Sequence, residues 1–251
     1  MLTIWFGRRG SGKTTSIRAT IPEMKKPVIV LDVLGNYTGY QSNGKDWIDV
    51  DNATSALIAL RNYIEKPDEN SGIIVIQTGN IDTAMDFMCS ALWKIHGGTL
   101  VCDEGDAITI SDSPCFDEAI RYGRNHGIDM VFGCRRPAEI TKNVTAGADI
   151  IYIFNTHEPR DIEYYCDLLG DTLAYRIAAL PPHYGVYRDF TEQKDGDFFA
   201  DPTGKIHIKS SVPSYQEQTK PVKSTSQNKE KVNNNLTDDN SKEYPEVING
   251  R

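Results

Sequence analysis

The sequence predicts an α/β domain with helices on both faces of a largely parallel sheet. Three observations carry that expectation. Six apolar runs rich in β-branched residues recur between Leu2 and Asn155. Segments with apolar residues at helical spacing separate them. A glycine-rich loop joins the first run to the first helical segment. Apolar runs without polar alternation suit strands covered on both faces. Strands alternating with helices are the pattern of a parallel sheet.

The strand-like runs are Leu2–Phe6, Pro27–Asp32, Gly72–Gln77, Gly98–Glu104, Gly127–Cys134 and Asp149–Asn155. Helical spacing falls in "TTSIRAT", "TSALIALRNYIEK", "IDTAMDFMCSALWKIH" and "PCFDEAIRYGRNHG". Asn80, Asp82 and Thr83 stand where the third of these needs its N-terminal cap. Arg160–Gly170 reads as one more helix, ended by its glycine. Leu173–Phe190 reads as a β-hairpin with Pro181–Pro182 at the turn. From Ser210 onward the chain is polar, with few large apolar residues, and cannot bury enough surface to offset its ordering entropy. The expected organisation is a folded domain over 1–209 and a flexible, disordered tail over 210–251.

A chain of 251 residues holds one large domain, or one domain and an appendage. Its formal charge of −8 argues against a protein that coats DNA with a basic surface. A local basic patch inside a ring remains compatible with that charge. The five cysteines are scattered, without a CxxC pair, and read as single thiols of a reducing cytosol. Cys102 and Cys134 fall in strand runs and read as core. No histidine has metal-ligand spacing. There is no signal-peptide pattern and no apolar stretch near the ~20 residues of a membrane span, so no membrane insertion is expected. Trp5 and Trp93 read as packing residues, and Trp47 as a surface or interface residue.

"GRRGSGKTT", Gly7–Thr15, matches G-x-x-x-x-G-K-[ST] through Gly7, Gly12, Lys13 and Thr14, between a strand and a helix. Glycines let the backbone curl so that its N–H groups face a phosphate, and the following helix directs its positive end at the same anion. Gly7, Gly10, Ser11, Gly12, Lys13, Thr14 and Thr15 are therefore candidate nucleotide-binding residues. Lys13 is expected to reach the β- and γ-phosphates and the Thr14 hydroxyl to bind Mg²⁺. Arg8 and Arg9 stand inside the loop and read as solvent-facing.

"TLVCDEGD" ends a strand in acidic residues. Asp103 is the candidate metal partner, and Glu104 the candidate general base for an attacking water. Asp106 reads as a loop residue. A kinase must keep water from the γ-phosphate, and a carboxylate there would work against it. A guanine-reading N-K-x-D loop is missing, since Asn155 begins "NTHE". ATP with Mg²⁺, hydrolysed by water, is the expected chemistry.

"RYGRNHGIDMVFGCRRPAEITKNV", Arg121–Val144, resembles the segment after the acidic strand in the HerA/FtsK superfamily of P-loop ATPases. With "CDEGD" and the short chain, it is most similar to the genome-packaging ATPases of membrane-containing tailless phages and related double-jelly-roll viruses. The resemblance spans Leu2 to Phe190. It implies a RecA/HerA-like three-layer P-loop NTPase domain. It also implies a homo-oligomeric ring, expected to be hexameric, that translocates double-stranded DNA by its phosphate backbone into a capsid. The partner would be a capsid-vertex or packaging protein, in the cytoplasm of an infected host cell.

By the same resemblance Arg124 is the trans-acting arginine finger, with Arg121 the alternative one turn earlier. Arg135 stands where the family carries a polar sensor, often Gln, which departs from the pattern. Arg136–Pro137 would fix the turn. Asp32 and Asn36 match a loop that can approach the nucleotide or the pore. Arg135, Arg136, Lys142 and Lys45 are candidate DNA contacts. Two alternatives stay open: an assembly or secretion ATPase resembling zonular-occludens-toxin-like proteins, and a non-motor nucleotide-binding regulator.

Overall fold

β-Branched runs without polar alternation build the middle of the sheet, as their composition requires. In the computed structural model the strands are β1 (Leu2–Phe6), β2 (Val28–Asp32), β3 (Gln41–Ser42), β4 (Lys45–Asp46), β5 (Ile48–Val50), β6 (Ile73–Gln77), β7 (Gly98–Cys102), β8 (Ile128–Cys134), β9 (Ile150–Phe154), β10 (Tyr184–Asp189), β11 (Lys194–Ala200) and β12 (Ile206–Lys209). The helices are α1 (Lys13–Thr20), α2 (Ala53–Glu65), α3 (Ile81–Ile95), α4 (Pro114–Tyr122), α5 (Lys142–Ala146), α6 (Pro159–Leu169) and α7 (Asp171–Ala179). The structure describes residues 1–108 and 114–209. The chain divides into the units Met1–Ser214 and Tyr215–Arg251. The second unit, and with it the polar tail expected over 210–251, lies outside the described residues.

Among the described residues ten strands form one sheet, in the order β12-β11-β10-β9-β1-β8-β7-β2-β6-β5. From β9 to β5 every pairing is parallel. β10, β11 and β12 extend the sheet antiparallel beyond β9. β1 is central, with Leu2 to Phe6 in register with Met130 to Cys134 on β8. From β1 the chain crosses past β8 and β7 to β2, while β9 lies on its other side. The order therefore reverses at β1, and ligands of open α/β sheets bind at such a point, beyond the carboxyl ends of the strands.

Strand periodicity divides the core between two faces. Leu2, Ile4 and Phe6 of β1 join one cluster with α2 to α7. Trp5 faces the other way and joins Ile17 of α1, Ile21, Tyr37, Trp47 and Phe198. The result is three layers, with most helices on one face. Asn52 and Asn80 cap α2 and α3 by accepting the N–H groups of Ser55 and Thr83.

Two readings of the sequence are corrected. Leu173–Phe190 is not a hairpin: its first arm is α7, and the hairpin is β10–β11. Leu173, Ala174 and Ile177 are the buried positions, which is helical rather than alternate spacing. Trp47 is buried at 5% exposure, packed near Tyr40. The "SNGK" loop around Lys45 is a tight β3–β4 hairpin, whose Asn43 and Gly44 both have positive φ.

Candidate active site

The loop Gly7–Gly12 leaves the carboxyl end of β1 and enters α1 at Lys13. Gly12 caps the helix with φ +103°, a left-handed conformation that glycine alone adopts without strain. The amino-terminal N–H groups of α1 are thereby left facing the mouth of the loop. Ser11 Oγ is buried without a hydrogen-bond partner among the described residues. Arg8 and Arg9 are exposed, in line with the solvent reading.

β7 brings the acidic pair to the same edge, one strand away across β8. Lys13 Nζ lies 2.5 Å from Asp103 Oδ1 and 3.1 Å from the Asp103 carbonyl. The Thr14 hydroxyl donates to Asp103 Oδ2 at 2.5 Å. Lys13 and Asp103 are both buried, at 7% and 3% exposure. Such a pair needs each charge to compensate the other's desolvation. β8 lets the carboxylate in: a Cβ at Gly133 would fall inside the Asp103 side chain. Glu104 follows, half-buried. Burial raises its carboxyl pKa, Lys13 pulls it back, and Asp103 and Asp106 push it up again.

A hydroxyl and a carboxylate converging beside a lysine fit a small hard cation with a phosphate. The unpartnered Ser11 hydroxyl in the cradle adds to that fit.

Arg135 ends β8 at this edge, but its guanidinium is engaged. Nε and Nη2 donate to Asp106 Oδ2 at 3.0 and 2.9 Å. Asp106 is more than a loop residue: its side chain is 5% exposed and anchors this pair. Arg136 pairs with Asp161 at 3.2 Å and Glu158 at 3.4 Å, tying β8 to α6. Arg8, Arg9, Arg135, Arg136 and His157 line a cleft of about 470 Å³ beside Gly7. Lys45 donates to the carbonyls of Asp68 and Asn70, and Lys142 is exposed at the start of α5.

Arg124 lies elsewhere. It sits just before β8, at the amino edge, and pairs with Asp149, which also accepts the Leu2 N–H at 2.7 Å. Arg121 pairs with Asp117 at 3.0 Å. Arg124, Met1, Leu2 and Asp149 line a second cleft, of about 620 Å³. β1 runs from that cleft to the loop. Its five residues, at about 3.3 Å each, put the two edges roughly 17 Å apart. The structure thus gathers Lys13, Thr14, Asp103, Glu104 and Arg135 at one edge, and holds Arg124 at the other.

Other residues also gather at the carboxyl edge. Asp32 accepts the N–H groups of Asn36 at 2.9 Å and Tyr37 at 2.8 Å, which makes it the brace of a turn. Tyr37 is 1% exposed, and burial raises its phenol pKa, with the Asp103 charge adding. His183 reaches the loop from the α7–β10 connection. A stretch such as "LPPHYG" carries no signal that could have found it.

Sheet order, loop and acidic strand end together define the fold of a P-loop NTPase. No protein-family model and no curated protein matches the chain. Solved structures do. The genome packaging NTPase B204 of Sulfolobus turreted icosahedral virus 2, in complex with AMPPCP, matches at TM-score 0.60 and 17% identity, over 84% of this chain and 98% of that one. B204, the DNA-packaging ATPase from Sulfolobus turreted icosahedral virus, matches at TM-score 0.59 and 18% identity, over 84% and 98%. VirB4 of Thermoanaerobacter pseudethanolicus matches at TM-score 0.52 and 12% identity, over 85% and 90%. Among the described residues no helix is long and apolar enough to cross a membrane.

Proposed function

We propose that this chain hydrolyses ATP and, as a homo-hexameric ring, moves double-stranded DNA into a viral capsid. The observation that carries the reading is the convergence of Lys13 and Thr14 on Asp103, with Glu104 alongside. In this reading Gly7, Gly10, Ser11, Gly12, Thr14 and Thr15 hold the nucleotide phosphates. Lys13 leaves the Asp103 carboxylate for the β- and γ-phosphate oxygens, exchanging one anionic partner for another. Mg²⁺, when bound, neutralises charge on those oxygens, and Thr14 and Asp103 are the donors that suit it. Glu104 accepts the proton of the attacking water. Arg124 serves the site of a neighbouring subunit, because its own lies at the far edge of the sheet. Arg135 acts as a sensor on release from Asp106. A capsid-vertex or packaging protein completes the assembly, in the cytoplasm of an infected cell. The similarity in fold to B204 supports the packaging reading.

The test is turnover of ATP by the purified full chain with Mg²⁺, with and without double-stranded DNA. Stimulation by DNA is expected, and Glu104→Gln should still bind nucleotide while turnover falls about 10²–10⁴-fold. ATP turnover indifferent to DNA would overturn the translocase; undiminished turnover in the variant would remove Glu104 as base.

A further inference from the structure

A residue distant in sequence braces the phosphate loop from outside. His183 Nδ1 lies 3.1 Å from the carbonyl oxygen of Ser11. The same nitrogen would stand 3.3 Å from a Cβ on Gly12. A carbonyl oxygen only accepts, so Nδ1 carries the hydrogen. Ser11 C=O and Gly12 N–H belong to one peptide unit. That unit is planar and trans, so its C=O and N–H point in opposite directions. A donor that holds the carbonyl outward aims the N–H into the cradle. Glycine makes such a brace necessary, because without a Cβ the peptide beside Gly12 turns at little cost.

The brace is itself pinned. His183 sits at φ +66°, and its carbonyl accepts the Ala200 N–H at 3.0 Å. The next N–H, of Tyr184, donates to the Pro181 carbonyl at 3.2 Å. The imidazole is thereby carried by the β10–β11 hairpin and reaches the loop just ahead of α1.

We infer that His183 is a positioning residue that locks the Ser11–Gly12 peptide with its N–H toward the phosphate, preorganising the cradle for the β-phosphate of a nucleoside di- or triphosphate. The inference rests on the nucleotide site proposed above. It separates ligands by chemistry: ADP and ATP carry the phosphate this N–H would meet, and AMP does not.

The experiment is calorimetric binding of ADP with Mg²⁺, and of AMP, to the full chain and two variants. His183→Gly keeps the left-handed backbone and removes the donor. His183→Asn tolerates that backbone and keeps an amide donor near the place of Nδ1. His183→Gly should weaken ADP about five-fold, as expected for one lost hydrogen bond, with AMP unchanged. His183→Asn should stay within about two-fold of the parent. Unchanged ADP affinity in His183→Gly, equal loss for ADP and AMP, or an Asn variant as weak as the Gly variant would each overturn the inference. If glycine leaves the domain unfolded, His183→Asp takes its place, since it tolerates the left-handed backbone and its carboxylate offers no donor. A parent chain that binds no ADP would instead sink the nucleotide-site reading, and this inference with it.

Discussion

Asp103 meets three constraints at once. It neutralises a buried lysine, accepts the Thr14 hydroxyl, and needs the absence of a side chain at position 133. The last makes Gly133 part of the site although it has no side chain. Gly133→Ala should displace the carboxylate, abolish ATP turnover, and cost about 1–3 kcal/mol of stability, the usual price of overpacking a filled interior. Denaturant unfolding and an ATPase assay check both; full activity with parental stability would mean that Asp103 is not held as described. Lys13, Thr14, Asp103 and Glu104 were all legible as motif. Gly133 in "VFGC" was not, because a glycine's value depends on what passes above it. The pairing of Asp106 with Arg135 was not legible for a related reason: only the fold buries the Asp106 side chain and brings up Arg135.

At the scale of elements, the six long parallel strands and helices α1–α4 and α6 were legible because their apolar periods are long or bounded by caps and glycines, whereas the short β5 and α5 were not. "LAYRIAAL" was not. It is short, and its apolar residues satisfy both an alternate and a helical spacing. Helix wins through packing: Leu173, Ala174 and Ile177 point into the core, and Tyr175 is 64% exposed. A strand would put residues 173, 175 and 177 on one face, whereas the helix separates 175 from 177. Ile177→Ala should therefore cost about 2–5 kcal/mol and Tyr175→Lys within about 0.5 kcal/mol. Comparable losses at both positions, measured by chemical unfolding, would return the segment to a strand. Of the antiparallel extension only β10 was read, as one arm of the expected hairpin; β11 and β12 were not, and this extension carries His183 to the phosphate loop.

For the whole molecule, the separation of Arg124 from Lys13 is the observation with the widest consequence. One edge of the sheet carries the phosphate loop and the acidic pair. The opposite edge carries a guanidinium paired with the buried Asp149. A single subunit cannot bring the two together without unfolding β1 or β8, so cooperation between them requires a neighbour. Arg124→Ala and Lys13→Ala should each be inactive alone, and mixing them should restore part of the turnover at mixed interfaces. No recovery at any ratio, with assemblies intact by sedimentation, would remove Arg124 as a trans group. The net charge of −8 is compatible with the proposed translocase, in which only a local surface would have to meet DNA phosphates.

By itself the sequence determined the α/β class and which motif residues gather at the carboxyl edge. Both follow from local rules: a glycine loop between strand and helix, an acidic strand end, and periods of apolar residues. Only the tertiary structure decided the rest. It put Arg124 and Lys13 at opposite ends of β1, engaged Arg135 with Asp106, left no room for a side chain at Gly133, and turned His183 toward Ser11. Each depends on contacts between residues far apart in the chain, whose energies come from burial and close approach rather than from neighbouring residues.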